Sequence, residues 1–436
     1  MPACLTNHFT LKPEDRILIL APHPDDEILA TGGIIQEALR QKCPLRVVFM
    51  TCGDNNEWSF LLYRKHPVLT PGAFQQMGRI RYQEAEQAAF QIKNPITNLV
   101  FLGYPDFGTL NIWMYHWNSA PPYQGLLMRA TSVPYPFAFR PGAPFKGESI
   151  VSDLEKTIRE FKPTYVYCPH PDDYNNDHQA LFLFTRIALW NLPAEEQPIL
   201  RHYLIHYSNW PKPRGSQLAE WLVPPKRIRN QNGWSSFDLR PTMIPLKQNA
   251  LLAHRSQWEY SAHYLESFVR PNELFWSGPD TVLTPKTPPF SDEQEILSEP
   301  PDPLSVEEQA AFVGVIWDKV QQEGPQLKLS LRLSKPLTSA TKVTVHLFGY
   351  SAQTPFAEMP KLHLILGATR EVYSDMNRPL LNSGITTHRT SGQMEITLPL
   401  SALGNPDRFL IAAKTSLGEL PLDHTGWRVF ILNPPR

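Results

Sequence analysis

A chain of 436 residues, 42% hydrophobic and 19% charged, has apolar material for two or three packed domains and too much for a disordered polymer. Lys and Arg number 41 against 42 Asp and Glu, a net charge of −1, which argues against binding nucleic acid by phosphate neutralisation. Its 44 prolines, about twice the usual share, exclude an all-helical bundle and call for long, stiff connections.

The predicted elements alternate along the first half. Arg16 to Ala21 reads as a short buried strand ending in a proline turn, and Ile28 to Leu39 follows with helical spacing. Leu45 to Thr51 and Asn98 to Gly103 read as further strands, with a helix between them over Arg79 to Ile92. Asp106 to Gly147 is aromatic and Pro-rich with little periodicity, the character of a lid or binding wall. Ser152 to Phe161 is helical, Thr164 to Cys168 is a strand, and Arg201 to Tyr207 is a further strand. Short apolar strands alternating with helices predict an α/β domain with a mostly parallel sheet over residues 1–280. Gly278 to Leu304 is rich in proline, and residues 281–304 are expected to be an extended linker. Beyond it the apolar pattern changes to period two in Leu327 to Leu333, Lys342 to Phe348, Lys361 to Leu366, Met394 to Leu400 and Trp427 to Leu432. That pattern predicts a C-terminal all-β sandwich domain over residues 305–436.

The four cysteines, Cys4, Cys43, Cys52 and Cys168, show no C-x-x-C spacing, so neither a disulfide scaffold nor a Cys-based zinc site is expected. No run approaches ~18 apolar residues, and Met1 to Leu11 has no basic start followed by an apolar run. A cytoplasmic protein without a transmembrane segment is the expectation.

Two segments carry candidate chemistry. His23-Pro24-Asp25-Asp26-Glu27 follows the first strand, and ligands of open α/β sheets bind outside the carboxyl ends of strands. Pro24 can open a helix, and carboxylates about 100° apart at a helix start let one hold a cation while the other faces the open coordination position. The alternative is a helix start whose acidic residues simply suit the dipole. His170-Pro171-Asp172-Asp173-Tyr174-Asn175-Asn176-Asp177-His178 follows another strand with the same donor types. Three His and carboxylate ligands that leave a position for water are what a hydrolytic zinc site requires.

In this order the motifs resemble the PIG-L/LmbE family of zinc-dependent N-acetylglucosaminyl deacetylases. Thr51-Cys52-Gly53-Asp54 is similar to that family's T-N-G-D turn, Arg81-Tyr82-Gln83-Glu84 to its R-x-x-E helix, and Gly103-Tyr104-Pro105-Asp106 to its G-x-x-D segment. The resemblance covers roughly residues 14–190 and continues more weakly at Ser256-Gln257 and from Ser267 to Phe275. It implies a Rossmann-like sheet with helices on both faces. It also implies Zn2+, with Fe2+ as the alternative, held by His23, Asp26 and His178. Asp25 falls on the general base, which takes a proton from the activated water and returns it to the leaving amine. Arg81 falls on the substrate-binding arginine and Asp106 on the partner of a sugar hydroxyl. The implied reaction removes the N-acetyl group from an N-acetylglucosamine-containing substrate, an amino sugar or glycoconjugate. An amidase of the same fold acting on another N-acyl group, and a non-catalytic glycan-binding protein, remain open.

One position departs from the family pattern. The second loop there is commonly H-P-D-H, whose first His stabilises the oxyanion, and here that position is Asn175. An amide donates a neutral hydrogen bond but cannot act as a proton-bearing cation. His170, in the longer loop, is the other candidate for the role. Asp177 is either the partner of a site imidazole or a helix N-cap. Arg81 and Glu84 could be an i,i+3 pair on a solvated face, and Asp106 a strand-ending turn residue. Trp113, Tyr115, Trp117, Tyr123, Tyr135 and Phe137 suit either stacking on sugar rings or packing of their own loop. His202 and His206 are expected to be ordinary strand residues, and Ser256 lacks the glycines of a nucleophile elbow. The β domain carries turn-like Leu403-Gly404-Asn405-Pro406 and Thr425-Gly426-Trp427. It resembles sandwich modules joined to carbohydrate enzymes, with a packing role as the alternative.

Overall fold

The computed structural model of the chain describes residues 7–55, 70–284, 286–300, 305–381 and 383–432. The chain divides into two units, Met1–Pro225 with Asn232–Gly278, and Lys226–Gln231 with Pro279–Arg436.

The first half of the first unit contains β1 (Ile17–Ala21), α1 (Asp26–Gln41), β2 (Leu45–Thr51), α2 (Pro71–Gln91), β3 (Leu99–Tyr104) and α3 (Thr109–Tyr115). It continues with α4 (Gly147–Phe161), β4 (Tyr165–Pro169), α5 (Asn176–Trp190), β5 (Ile199–Tyr203), β6 (Trp234–Asp238), α6 (Met243–Ala253), α7 (Arg255–Leu265) and β7 (Asn272–Trp276). The seven strands form one sheet in the order β3-β2-β1-β4-β5-β7-β6. β3, β2, β1, β4 and β5 pair in parallel, and β7 and β6 add antiparallel pairs at the far edge. β1 is buried at every residue, as an apolar strand covered on both faces must be. The strand order reverses between β1 and β4, which opens a crevice at their carboxyl ends.

Local chemistry accounts for the helices beside that crevice. Pro71 starts α2 behind Thr70, whose side chain accepts from the Ala73 N–H. α4 buries Ile150, Leu154, Ile158 and Phe161 along one face and ends at left-handed Lys162.

Two expectations change. β5 ends at Tyr203 rather than running to Tyr207, so residues 204–207 leave the sheet at its carboxyl end. The stretch from Asp106 to Gly147 contains α3, and its Trp113, Trp117 and Tyr135 are core residues. Trp113 and Trp117 pack edge-on at 5.6 Å and both contact Phe184 of α5. Rings that fill the space between two helices are not available to stack on a ligand.

The second unit holds β8 (Thr281–Val282), β9 (Val315–Glu323), β10 (Gln326–Leu333), β11 (Thr341–Tyr350), β12 (Lys361–Gly367) and β13 (Glu371–Asp375). β14 (Arg378–Pro379), β15 (Thr386–Arg389), β16 (Gln393–Pro399), β17 (Arg408–Leu417), β18 (Leu420–His424) and β19 (Arg428–Ile431) follow. One sheet runs β15-β16-β10-β9 and the other β14-β13-β12-β11-β17-β19-β8, with β18 on β17. A single apolar cluster takes Leu327, Leu329 and Leu331 from the first sheet and Val343, Val345, Leu347, Phe409 and Ile411 from the second. Two sheets sharing one core through alternate residues make a sandwich.

The Pro-rich segment expected as a linker belongs to this unit. β8 pairs with β19, Leu283 enters the shared core, and Phe290 exchanges backbone hydrogen bonds with Val320. Proline forbids ladder bonds at its own nitrogen, while the apolar residues between prolines still gain by burial. Residues 301–304 of that segment lie outside the described residues. Cys43, Cys52 and Cys168 are free and buried, whereas Cys4 lies outside the described residues. Among the described residues no helix is long and apolar enough to cross a membrane.

Candidate functional site

The chain leaving β1 and the chain leaving β4 meet at the crevice. Asp25, immediately before α1, has φ 134° and ψ −31°. That is a costly conformation for a residue with a Cβ. It is held on both sides: its N–H donates to Glu27 Oε2 at 2.8 Å, and its carbonyl accepts from Ile28 and Leu29. The twist separates the two neighbouring carboxylates. Asp26 turns toward the imidazoles, and Asp25 borders the cavity beside Arg81, whose Nη2 lies 3.4 Å from Asp25 Oδ1.

His23, Asp26 and His178 bring one ligand atom each within 4.8 Å of the others, and all three are buried. Asp26 Oδ2 is 3.2 Å from both His23 Nδ1 and His178 Nε2. His178 Nε2 is buried without a hydrogen-bond partner. Its approach to Asp26 is therefore close without an N–H aimed at the oxygen. Two ligands of one tetrahedral cation stand in that relation, about 3.3 Å apart for bonds of 2.0–2.1 Å. Two imidazoles and a carboxylate suit zinc or iron(II), so the residues present fit such an ion. His23 Nε2 faces Asp177 Oδ2 at 3.2 Å and Asp106 Oδ1 at 3.1 Å. A proton on Nε2 is donated to Asp177, with Asp106 adding its charge nearby, and leaves the Nδ1 lone pair toward Asp26.

A second group, His23 with Asp106 and Asp177, shares that imidazole. Asp177 already accepts from the Phe107 N–H at 2.7 Å, the Thr109 N–H at 3.2 Å and the Thr109 hydroxyl. It therefore acts as the outer partner of His23.

Burial and charge divide the carboxylates further. Burial pushes the Asp25 carboxyl up to about 7, with Arg81 opposing and Asp26 adding to the rise. Burial also works against charge on Asp26, but the His178 and His23 imidazoles outweigh it and hold that carboxyl well below its ordinary value. His178 rises to about 9, because Asp173 and Asp26 outweigh its burial. Protons on the imidazoles balance this negative charge, and a divalent cation binding here would displace them.

Arg81 is buried rather than solvated and ties three segments together. It donates to Pro24 O at 2.7 Å and Gly53 O at 3.1 Å and reaches Asp25. Gly53 has φ +63°, and a Cβ there would lie 2.0 Å from Arg81 Nη1, so only glycine fits. Glu84 does not pair with Arg81. It accepts from the Ser256 N–H and hydroxyl, both at 2.7 Å, at the start of α7. Asp106 lines the cavity and accepts from the Asn55 N–H at 3.0 Å.

Asn175 also lines the cavity. It is Asn175, not Asp177, that caps α5, its Oδ1 accepting from the Asp177 and His178 N–H groups at 2.8 and 3.4 Å. His170 is not brought to the cavity. Its ring lies stacked on Trp234 at 5.1 Å and edge-on to Trp276 at 4.9 Å, and its Nδ1 accepts from the Asp172 N–H. A tight turn follows it, the Asp173 N–H donating to the His170 carbonyl at 3.0 Å, and the His170 N–H is tied to Tyr203 O at 2.7 Å.

The cavity has a volume of about 260 Å³. Its far wall is α7, which presents Gln257, Tyr260, Ser261, Tyr264 and Leu265 at the spacing of one helical face. The aromatic wall thus comes from α7 and Phe107, not from the tryptophans of 113–117. His206 lines the cavity as well, which a strand reading concealed. Burial pushes its pKa down to about 4, with His178 adding to the fall. Asp173 faces His178 Nδ1 at 3.2 Å, and His254 meets Glu27 at 3.2 Å behind Asp25. The Ser256-Gln257 match was the sequence signal for this wall. Asp173 lies within the second His/Asp loop without being singled out there, and nothing local marks His206 or His254.

Residues 18–189 match the family model described as PIG-L: GlcNAc-PI de-N-acetylase. No curated protein matches the chain. Among solved structures, the N,N'-diacetylchitobiose deacetylase from Pyrococcus horikoshii, complexed with its inhibitor MPG, is 19% identical over 60% of this chain and 82% of that one, with a TM-score of 0.38. The conserved protein TT1542 from Thermus thermophilus is 18% identical over 63% of this chain and 99% of its own, with a TM-score of 0.36. The A40926 pseudoaglycone deacetylase Dbv21 is 15% identical over 61% and 97%, with a TM-score of 0.39. The family match runs from β1 to the end of α5 and contains His23, Asp25, Asp26, Arg81, Asp106 and His178. Residues 18–189 of this chain are therefore a PIG-L family domain.

Proposed function

We propose that the first unit hydrolyses the N-acetyl group of an amino sugar, consuming water and releasing acetate and the free amine. One observation carries the reading: two loops far apart in sequence bring His23, Asp26 and His178 together beside Asp25, a carboxylate outside that cluster, in a cavity. His23, Asp26 and His178 would hold the cation, zinc or alternatively iron(II). When bound, it would supply Lewis-acid polarisation of the acyl carbonyl and activation of water.

The remaining work falls to side chains of this chain. Asp25 takes a proton from water as the acyl carbon is attacked and gives it to the departing amine nitrogen. Arg81 fixes the Asp25 carboxylate through Oδ1, so Oδ2 is the oxygen left for the proton. Asp177 holds the His23 proton on Nε2, and the Asp106 carboxylate 3.1 Å away favours it by charge. Arg81, Asp106 and Gln257 offer polar groups along the cavity to a hydroxylated ring.

The test is acetate release from a panel of N-acetylglucosaminides, with metal analysis of the purified protein. A stoichiometric divalent metal is expected, and Asp25→Asn is expected to lower kcat by about 10²–10⁴-fold. Turnover only of other N-acyl compounds would redirect the reading to an amidase. A protein with no divalent metal whose Asp25→Asn variant kept full activity would end it.

A further inference from the structure

Asn175 stands three residues ahead of the ligand His178, and its amide is already committed on one side. Oδ1 caps α5, so the side chain has only its neutral NH₂ group left for the cavity. An imidazole reaches the same space from a different strand end. His206 lies three residues beyond the end of β5. Its main chain is clamped to the second loop, with its N–H donating to Asp173 Oδ2 at 3.0 Å and its carbonyl accepting from the Tyr174 N–H at 2.7 Å. Its ring stands edge-on to the His178 ring at 4.7 Å and nearly parallel to Tyr264 at 6.1 Å. Among the described residues the His206 ring makes no hydrogen bond, although it lines the cavity with His23, Asp25 and Asn175.

A ring fixed by its backbone and packed on two faces, with its nitrogens uncommitted, is a preorganised donor. We propose that His206 is a catalytic residue: its ring N–H donates to the acyl oxygen of the substrate as negative charge develops there. The imidazole missing at residue 175 is thus supplied from the end of β5. The ring keeps its proton throughout, and the proton of the attacking water still travels through Asp25 to the amine. The inference rests on the deacetylase reading above and adds to it a donor that local sequence does not reveal.

The experiment compares wild type, His206→Ala, His206→Phe and His206→Gln as full-length, metal-loaded proteins on an N-acetylglucosaminide. Removing one oxyanion donor is expected to cost about 10²–10³-fold in kcat. His206→Ala and His206→Phe should both show that loss with KM and metal content near wild type, and His206→Gln should recover at least about tenfold by restoring an N–H. A second readout is binding. A phosphonamide analogue of the tetrahedral state should lose affinity for His206→Phe by at least about tenfold, while the product amine binds unchanged. His206→Phe keeps a flat ring between His178 and Tyr264, so wild-type kcat and analogue affinity in that variant would overturn the proposal. Wild-type protein with no turnover of any N-acetyl amino sugar would overturn the deacetylase reading itself, and this proposal with it.

Discussion

Asp25 and Asp26 are adjacent in the chain, yet one is pushed up to about 7 and the other is held well below the carboxylate range. The difference comes from the backbone twist at Asp25, which faces one carboxylate toward two imidazoles and the other toward the cavity. The same reasoning gives a stability prediction at Asp54. Burial pushes its carboxyl from 3.8 to about 7, and Asp106 adds to the rise, against the hydrogen bond it accepts from Tyr135 at 2.5 Å. The folded state therefore binds this proton more tightly than the unfolded chain. The stabilisation it brings is complete below about pH 4 and is lost as pH rises through about 7. Asp54→Asn keeps an acceptor for Tyr135 and removes the titration. With chelator present, so that cation binding stays out of the balance, the variant should gain on wild type by on the order of a few kcal/mol between pH 5 and pH 8. Urea midpoints measured at both pH values test this. Parallel shifts for the two proteins would show that Asp54 does not titrate in that window.

At the scale of elements, strand ends and helix starts decide which side chains meet. α7 forms the cavity wall, and its start is held by the two hydrogen bonds from Ser256 to Glu84 of α2. Glu84→Ala removes both and leaves a buried N–H without its acceptor. A loss of about 2–4 kcal/mol in unfolding free energy is expected. The α7 wall would loosen with it, so KM should rise more than kcat falls. Unchanged KM together with the stability loss would separate α7 from substrate binding. At α5, Asn175→Ala removes the cap and should cost about 1 kcal/mol, whereas Asn175→Asp keeps an acceptor and should hold near wild-type stability. Most elements were legible because their apolar periods are strong. β5 was extended too far because Leu204 and Ile205 continue its apolar run past the last ladder pair. Only the pairing partner determines where such a strand stops, and that error placed His206 in a strand.

In the molecule as a whole, segments far apart in the chain complete each unit. Arg227, carried by the Lys226–Gln231 segment of the second unit, pairs in fork geometry with buried Asp423, Nη1 to Oδ1 at 2.9 Å and Nη2 to Oδ2 at 3.2 Å. Asp423 Oδ2 also accepts from the Val315 N–H at 2.9 Å. Arg227→Ala strands a buried carboxylate and is expected to cost about 3–5 kcal/mol, read as a lower denaturation midpoint of the sandwich. In the first unit, a cation held by His23, Asp26 and His178 would bind the folded chain alone. Saturating metal at about 100 times its Kd adds about 2.7 kcal/mol, so chelation should lower the melting midpoint. His178→Ala should remove most of that difference, and a chelator effect that survives in His178→Ala would place the ion elsewhere.

By itself the sequence determined the α/β and all-β halves and the two His/Asp loops at strand ends, and its resemblance to the PIG-L/LmbE family implied the set of His23, Asp26 and His178. The halves and the loops follow from short-range pattern, because residue type and period dictate local conformation; that the ends of β1 and β4 are neighbours was decided by the order of the sheet. Tertiary structure alone decided that His170 is sealed between two tryptophans, that α7 walls the cavity and that His206 enters it. Those outcomes depend on how far a loop runs before it packs and on what packs against it, and both are properties of long-range contacts that no local pattern encodes.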